Sequence, residues 1–394
     1  MIGSERIRGL RGSGDGWSLY RRARAMAEAG EDVAELTIGE HDVRTDPVIL
    51  DAMHDAAKAG ATGYAPVPGM TPLRAAIAER VEASTGVATA PDNVLVTPGG
   101  QAGLFTAHMA LLDPGDVALH IDPFYATYPG TIRAAGGVPR AVEARAADGF
   151  QPREDDLRAA AEGARSLLVN SPNNPTGAVY TRETLEGIVR VCRDTGLSLI
   201  SDEVYDTQVW QGTHLSPRAL PGMRDAVLVV GSLSKSHAMT GSRLGWVIGP
   251  PEIVARMIEL AEVTTFGVPG FVQSAGLHAL GLGPEFEARI AAPFRRRRDL
   301  VMTMLDRQQV LTAVPAAGAM YVMLDVSGTG MDGAGFAEAL LDAERIAVMP
   351  GASFGAAARS HVRVALSLPD DRFSDAIGRL VSFAGRQANV RAAE

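Results

Sequence analysis

Two lysines, Lys58 and Lys235, stand among 37 basic residues, and every other cation of this 394-residue chain is an arginine. Arginine carries charge at any working pH, whereas only lysine can lose its proton and attack a carbonyl as a free amine. Lys235 closes the run AVLVVGSLSK (226–235), so an apolar strand delivers it. Burial there disfavours the ammonium and leaves a nucleophile. Lys58 lies in the ordinary polar helix end HDAAKAG and has no such setting. A surface lysine at a strand end is the plainer reading of Lys235, and its company weighs against it. TPGGQ, IDPFY, NSPNNPTG, SDEVY and SLSKS each follow an apolar run directly. In open α/β sheets ligands bind at the carboxyl ends of the strands. Five such ends carrying polar, glycine-rich or aromatic residues are more than packing requires.

The other candidates follow from what each group needs. Asp202 ends LSLISDEVY, and a carboxylate closing a buried strand demands a partner. Arg363 lies inside HVRVALS, where a buried guanidinium needs a reason, and its fork suits a carboxylate. TPGGQAGLF has glycines where a strand turns into a helix, so backbone N–H groups can approach an anion there, although a Gly-Gly pair alone is an ordinary turn. SPNNPTG is a turn by composition and leaves Asn174 free to donate as well. Tyr125 in DPFYATYP serves equally as a core aromatic or as a face for a planar ligand. Cys192, the single cysteine, sits in the helical stretch GIVRVCRDTG and reads as a small buried apolar residue. The eight histidines show neither HExxH nor paired spacing, so no metal site is expected.

These residues must be held by an α/β scaffold. From 92 to 250 the runs 93–98, 117–122, 166–172, 197–205, 226–235 and 243–249 are short, aliphatic and bounded by Gly, Pro, Asn or Asp. Most are separated by helix-length segments such as TRETLEGIVRVCRDTG, opened by Thr181 and closed by Gly196, which implies parallel strands. The gap before the last run is too short for a crossover, so that strand is expected to be antiparallel. Beyond about 280 the runs 321–326, 346–351 and 362–368, with a helix near 335–343, suggest a smaller α+β unit. The segment before 40 has no place in the large pattern and is assigned to the small unit. Domain bounds of 1–45, 46–280 and 281–394 follow. Arg295–Arg298 reads as a solvated, ion-paired helix face. The formal net charge of −9 argues against nucleic acid and anionic membranes. No apolar run approaches the ~18 residues of a membrane span, and a cytoplasmic setting is expected.

The segment SLSKSHAMTGSRLGW (232–246) resembles the cofactor-lysine signature of class I/II, fold type I aminotransferases dependent on pyridoxal 5′-phosphate (PLP), the aspartate aminotransferase kind. Motif order resembles that family from LTIGE (36–40) to VRVALS (362–367). The resemblance implies a large domain with a mostly parallel seven-stranded sheet and helices on both faces, plus a smaller α+β domain. It implies Lys235 as the Schiff-base lysine and proton shuttle, and Asp202 as the acid facing the ring nitrogen. Tyr205 and Asn174 then meet the phenolic oxygen, Tyr125 stacks on the ring, and Gly100, Gln101, Ser232, Ser234 and Arg243 serve the phosphate. Arg363 takes the substrate carboxylate, while Gly39 and Trp17 belong to an N-terminal segment that closes over the substrate, Trp17 being equally readable as a surface packer. Tyr64 reaches the phosphate of a neighbouring subunit, which implies a homodimer. The expected reaction is ping-pong transfer of an α-amino group between an amino acid and a 2-oxo acid. A carbon–sulfur β-lyase on the same fold is the alternative. A PLP-binding regulator is a further one, and the residues before 36 leave no room for the DNA-binding domain it would carry. Two positions depart from the family: His237, where an aromatic is frequent, and Ser242, where tryptophan is usual.

Overall fold

The computed structural model describes residues 3–10 and 17–393. In chain order it contains β1 (Ala34–Leu36), β2 (Val94–Thr97), β3 (Val117–Asp122), β4 (Val138–Glu143), β5 (Ala164–Asn170), β6 (Ser198–Asp202), β7 (Val227–Ser232), β8 (Gly245–Ile248), β9 (Thr312–Ala313), β10 (Tyr321–Asp325), β11 (Ile346–Pro350) and β12 (His361–Ala365). Two sheets result. The larger has the order β2-β8-β7-β6-β5-β3-β4 and the smaller β1-β11-β12-β10-β9. Within the larger sheet β3 to β7 pair in parallel, and β8 runs antiparallel to both β2 and β7.

Alternation along the central strands explains why both faces are covered. Leu167, Leu199 and Val229 point into one core with Leu73, Ile188 and Ala275 of the helices Thr71–Thr85, Arg182–Thr195 and Gly270–Gly281. Their neighbours Leu168, Ile200 and Val230 point the other way, onto Leu104 and Met257 of the helices Gly99–Leu111 and Pro251–Val263. A strand buried on both faces reads as a continuous apolar run, which is why these strands stand out in the sequence. The helix Arg182–Thr195 begins at Thr181, whose hydroxyl accepts from the Thr184 N–H, and ends at left-handed Gly196. Cys192 is buried on it, and burial pushes its thiol pKa up to about 12.

Two expectations need correction. The six apolar runs omit β4 (VPRAVE), which lies at the sheet's margin with most of its residues exposed and so lacks an apolar signature. The four arginines at 295–298 are not all a solvated face. Arg295 and Arg296 are exposed, but Arg297 and Arg298 are buried on the long helix Gly283–Leu305. Arg297 grips Asp42 with both terminal nitrogens (2.7 and 3.0 Å) and Asp370 with Nε (2.7 Å); Arg298 Nε donates to the Ala316 carbonyl.

Among the described residues no helix is long and apolar enough to cross a membrane, and no group of three or more metal-ligating side chains occurs.

Candidate active site

The carboxyl ends of β5, β6 and β7, the start of the helix Gly99–Leu111 and one face of the smaller sheet enclose a cavity of about 220 Å³. Its walls include Lys235, Asp202, Tyr205, Asn174, Tyr125 and Arg363, with Gly39 and Trp17 from the N-terminal segment. Gly100, Gln101, Ser232, Ser234 and Arg243 line it as well. Of the cofactor- and substrate-binding residues expected from the sequence, Tyr64 alone lies elsewhere, 91% exposed with its ring edge-on to Phe266 at 5.0 Å.

Lys235 sits in the one-turn helix Leu233–Ser236 that follows β7. Its Nζ donates to the Gly39 carbonyl at 2.6 Å. Burial lowers its pKa to about 8, Arg363 and Arg243 add to that, and Glu40 opposes it. One strand over, Asp202 ends β6 and is fully enclosed. Its Oδ2 accepts from the Tyr128 hydroxyl at 2.7 Å and its Oδ1 from the Val204 N–H at 3.3 Å. Burial raises its pKa to about 6 despite those donors. Two neutral donors do not offset a carboxylate with about four lone-pair sites in a dry setting, so the position wants a cation.

Arg363 lies on β12 between two rings, its Cζ 4.3 Å from the centroids of both Tyr321 and Phe354. It donates to Asn174 Oδ1 (2.8 Å) and to the Thr37 carbonyl, and its Nε has no partner. On the opposite wall Gly99 adopts φ 80°, and a Cβ there would collide with the Arg243 guanidinium. That glycine brings the helix start and the arginine together. Ser232 Oγ accepts from the Ser234 N–H at 3.0 Å and lies 2.8 Å from Ser234 Oγ. Gln101 is held at both ends: Nε2 donates to Thr131 (2.8 Å) and Oε1 accepts from Thr127 (2.9 Å).

The donor set fits PLP: an amine for its aldehyde, an enclosed carboxylate for a protonated ring nitrogen, and hydroxyls, an arginine and a helix start for its phosphate. Sequence reasoning missed Tyr128, Tyr321 and Asn170 on the cavity wall. Of the two departures, His237 is buried and stacks on Phe286 (5.4 Å, 20° between planes), so an imidazole does the packing of an aromatic. Ser242, partly exposed, ends the short turn Thr240–Ser242 just before left-handed Arg243.

Comparison with known proteins agrees with this geometry. The family model "Aminotransferase class I and II" matches residues 31–380. Arginine–pyruvate transaminase of Pseudomonas aeruginosa is 39% identical, over 93% of this chain and 95% of its own. Aspartate/prephenate aminotransferase of Thermus thermophilus is 36% identical over 94% and 95%. Among solved structures, Thermus thermophilus aspartate aminotransferase with maleate superposes with a TM-score of 0.90 at 35% identity, covering 97% of this chain and 100% of that one. Aspartate aminotransferase from Thermotoga maritima gives 0.91 at 31% identity, with 97% and 100% covered. The chain therefore belongs to the class I and II aminotransferases, enzymes of PLP fold type I that use pyridoxal phosphate to transfer an amino group.

Proposed function

We propose that Lys235 holds PLP and then moves the substrate's α-proton, in a ping-pong exchange between an amino acid and a 2-oxo acid. One observation carries the assignment: a fully enclosed amine, held near pKa 8, shares its cavity with an enclosed carboxylate and an enclosed arginine. The cofactor supplies an electron sink for the bond broken at the α-carbon. Asp202 keeps the ring nitrogen cationic, and Tyr205 and Asn174 serve the phenolic oxygen. Tyr125 covers the ring, and Gly100, Gln101, Ser232, Ser234 and Arg243 surround the phosphate. Arg363 orients the substrate carboxylate, leaving the α-hydrogen to Lys235. At neutral pH a minority of such amines are unprotonated, enough for a base whose pKa lies near the working range.

The cations lining the cavity are Lys235, Arg243 and Arg363. With a phosphate and an α-carboxylate to meet, no further cation among the described residues lines the cavity for a second carboxylate, and Gln101 is occupied by Thr127 and Thr131. That favours an amino acid with a neutral or basic side chain, closer to the arginine named for the Pseudomonas relative than to the aspartate named for the Thermus one.

Tyr64 is exposed and idle in the single chain, which supports a homodimer in which it completes the partner's site. Sedimentation at twice the chain mass of 41.4 kDa tests this. The bounds 1–45, 46–280 and 281–394 separate the large sheet from the small one, to which β1 belongs. A lone buried Cys192 asks for no oxidising compartment and suits the cytoplasm.

The deciding experiment is the visible spectrum of the PLP-loaded protein with each amino acid singly, then with a 2-oxo acid. Loss of the cofactor band with one amino acid and its return with an oxo acid name the donor. Release of ammonia and pyruvate instead indicates the lyase. If Lys235→Ala keeps the same band and turnover, the assignment of Lys235 fails.

A further inference from the structure

Tyr321 opens β10, two residues before Met323, which pairs directly with Arg363 of β12. Side chains two apart share a face of a sheet, so Tyr321 and Arg363 stand together on the wall of the cavity. The ring lies 4.3 Å from the guanidinium carbon, while the hydroxyl reaches the other sheet: 3.0 Å from the Tyr205 hydroxyl and 3.4 Å from Asn174 Nδ2. Tyr321 is 3% exposed and touches all three of these groups.

Donor counting gives the contacts a direction. A guanidinium only donates, so the Asn174 atom facing Arg363 at 2.8 Å is the amide oxygen. The amide nitrogen is thereby turned to Tyr321, and because it too only donates, the Tyr321 oxygen accepts there. Its own proton and a second lone pair remain for the Tyr205 hydroxyl, and either oxygen can be the donor of that bond. Only when Tyr321 donates is the Tyr205 proton free for the cavity. In that arrangement a chain of donors runs Arg363, Asn174, Tyr321, Tyr205. We propose that Tyr321 is a positioning residue that makes Tyr205 a donor toward the phenolic oxygen of PLP while its ring holds Arg363 flat for the substrate carboxylate. The proposal rests on the reading of Tyr205 and Arg363 given above.

The two halves of Tyr321 can be separated. Tyr321→Phe keeps the ring and removes the hydroxyl; Tyr321→Leu removes both. The readout is the pH titration of the visible band of bound PLP without substrate, beside KM for the amino acid. A donor on the phenolic oxygen draws off the charge that holds the neighbouring proton, so its loss raises the midpoint. Tyr205→Phe is expected to raise it most. Tyr321→Phe should raise it by about half a unit to one unit, the size of one net hydrogen bond, with KM within about threefold. Tyr321→Leu should in addition raise KM roughly tenfold as the cation–π contact is lost. A Tyr321→Phe midpoint equal to the parent's, while Tyr205→Phe shifts, overturns the role of Tyr321 and leaves the site reading intact. No shift in Tyr205→Phe overturns the reading of Tyr205, and this proposal with it.

Discussion

The Lys235 amine donates to the carbonyl of Gly39 across 2.6 Å, tying the residue proposed to hold the cofactor to the N-terminal segment above it. The tie is one of several. Arg363 donates to the Thr37 carbonyl, His41 Nε2 meets the Lys235 carbonyl at 3.0 Å, and Thr45 donates to the Ala238 carbonyl at 2.7 Å. His41 can only donate to that carbonyl. Burial lowers its pKa to about 4, so it does so as a neutral ring. Residues 37–45 thus form a strap fastened to β12 of the smaller sheet and to residues 235–238 that follow β7.

The pKa of Lys235 makes the first prediction. In the cofactor-free protein an amine-directed reagent should modify Lys235 with a midpoint near pH 8, and at pH 7 roughly a tenth of the amines are free. PLP should block the reaction. Mass spectrometry of the peptide carrying Lys235, with exposed Lys58 as the internal reference, reads both. A midpoint near that of an ordinary lysine would contradict the burial argument.

Asp202 predicts a pH-dependent stability. Its folded pKa, raised to about 6, exceeds the unfolded value of about 4, so the folded cofactor-free chain binds more protons between them. This group therefore stabilises the fold below about pH 4, and the contribution, a few kcal/mol, is lost as pH rises through about 6. Thermal melts of the cofactor-free protein and of Asp202→Asn should diverge across that window. Loading PLP should remove the divergence.

Tyr128→Phe deletes the shorter of the two hydrogen bonds to that carboxylate. A hydrogen bond to a charged group contributes about 1.5–3 kcal/mol, so PLP affinity should fall roughly ten- to a hundredfold. Absorbance titration of the cofactor measures it, and unchanged affinity would show that the Tyr128 bond adds nothing to cofactor binding.

Gly39→Ala would drive a Cβ into the Tyr321 hydroxyl. The strap must lift, at about 1–3 kcal/mol for overpacking, and kcat/KM should drop about five- to a hundredfold with circular dichroism unchanged.

Arg297→Ala leaves the largely buried Asp42 carboxylate without its two-pronged partner. Breaking a buried pair on one side costs about 3–5 kcal/mol, and a fall of several degrees in Tm is expected. A melt equal to the parent's would show that the strap's far anchor contributes nothing.

Much of the site was legible because a charged residue in an apolar run is itself a signal. Lys235, Asp202 and Arg363 each interrupt or close such a run. Tyr128 and Tyr321 gave none, since a tyrosine beside aliphatic residues looks the same whether it fills a core or faces a ligand. Their roles depend on partners 74 and 116 residues away, Asp202 and Tyr205. The buried half of the arginine run could have been found. Phe294, Arg297, Arg298 and Val301 fall at i, i+3, i+4 and i+7, the spacing of a helix face turned inward, and all four are buried. The marginal strand β4 was missed for the opposite reason, because exposure removes the pattern that marks its neighbours.

The parallel pairing of β6 with β7 has one more consequence. Adjacent strands lie about 4.8 Å apart, so the lateral offset between Asp202 and the Lys235 turn is ruled by the backbone ladder and not by loops. Arg363, Tyr321 and the strand leading to Gly39 are mounted on the other sheet. On the roles proposed above, the groups for the cofactor and those for the substrate carboxylate are carried mainly by different sheets, like the two jaws of a vice.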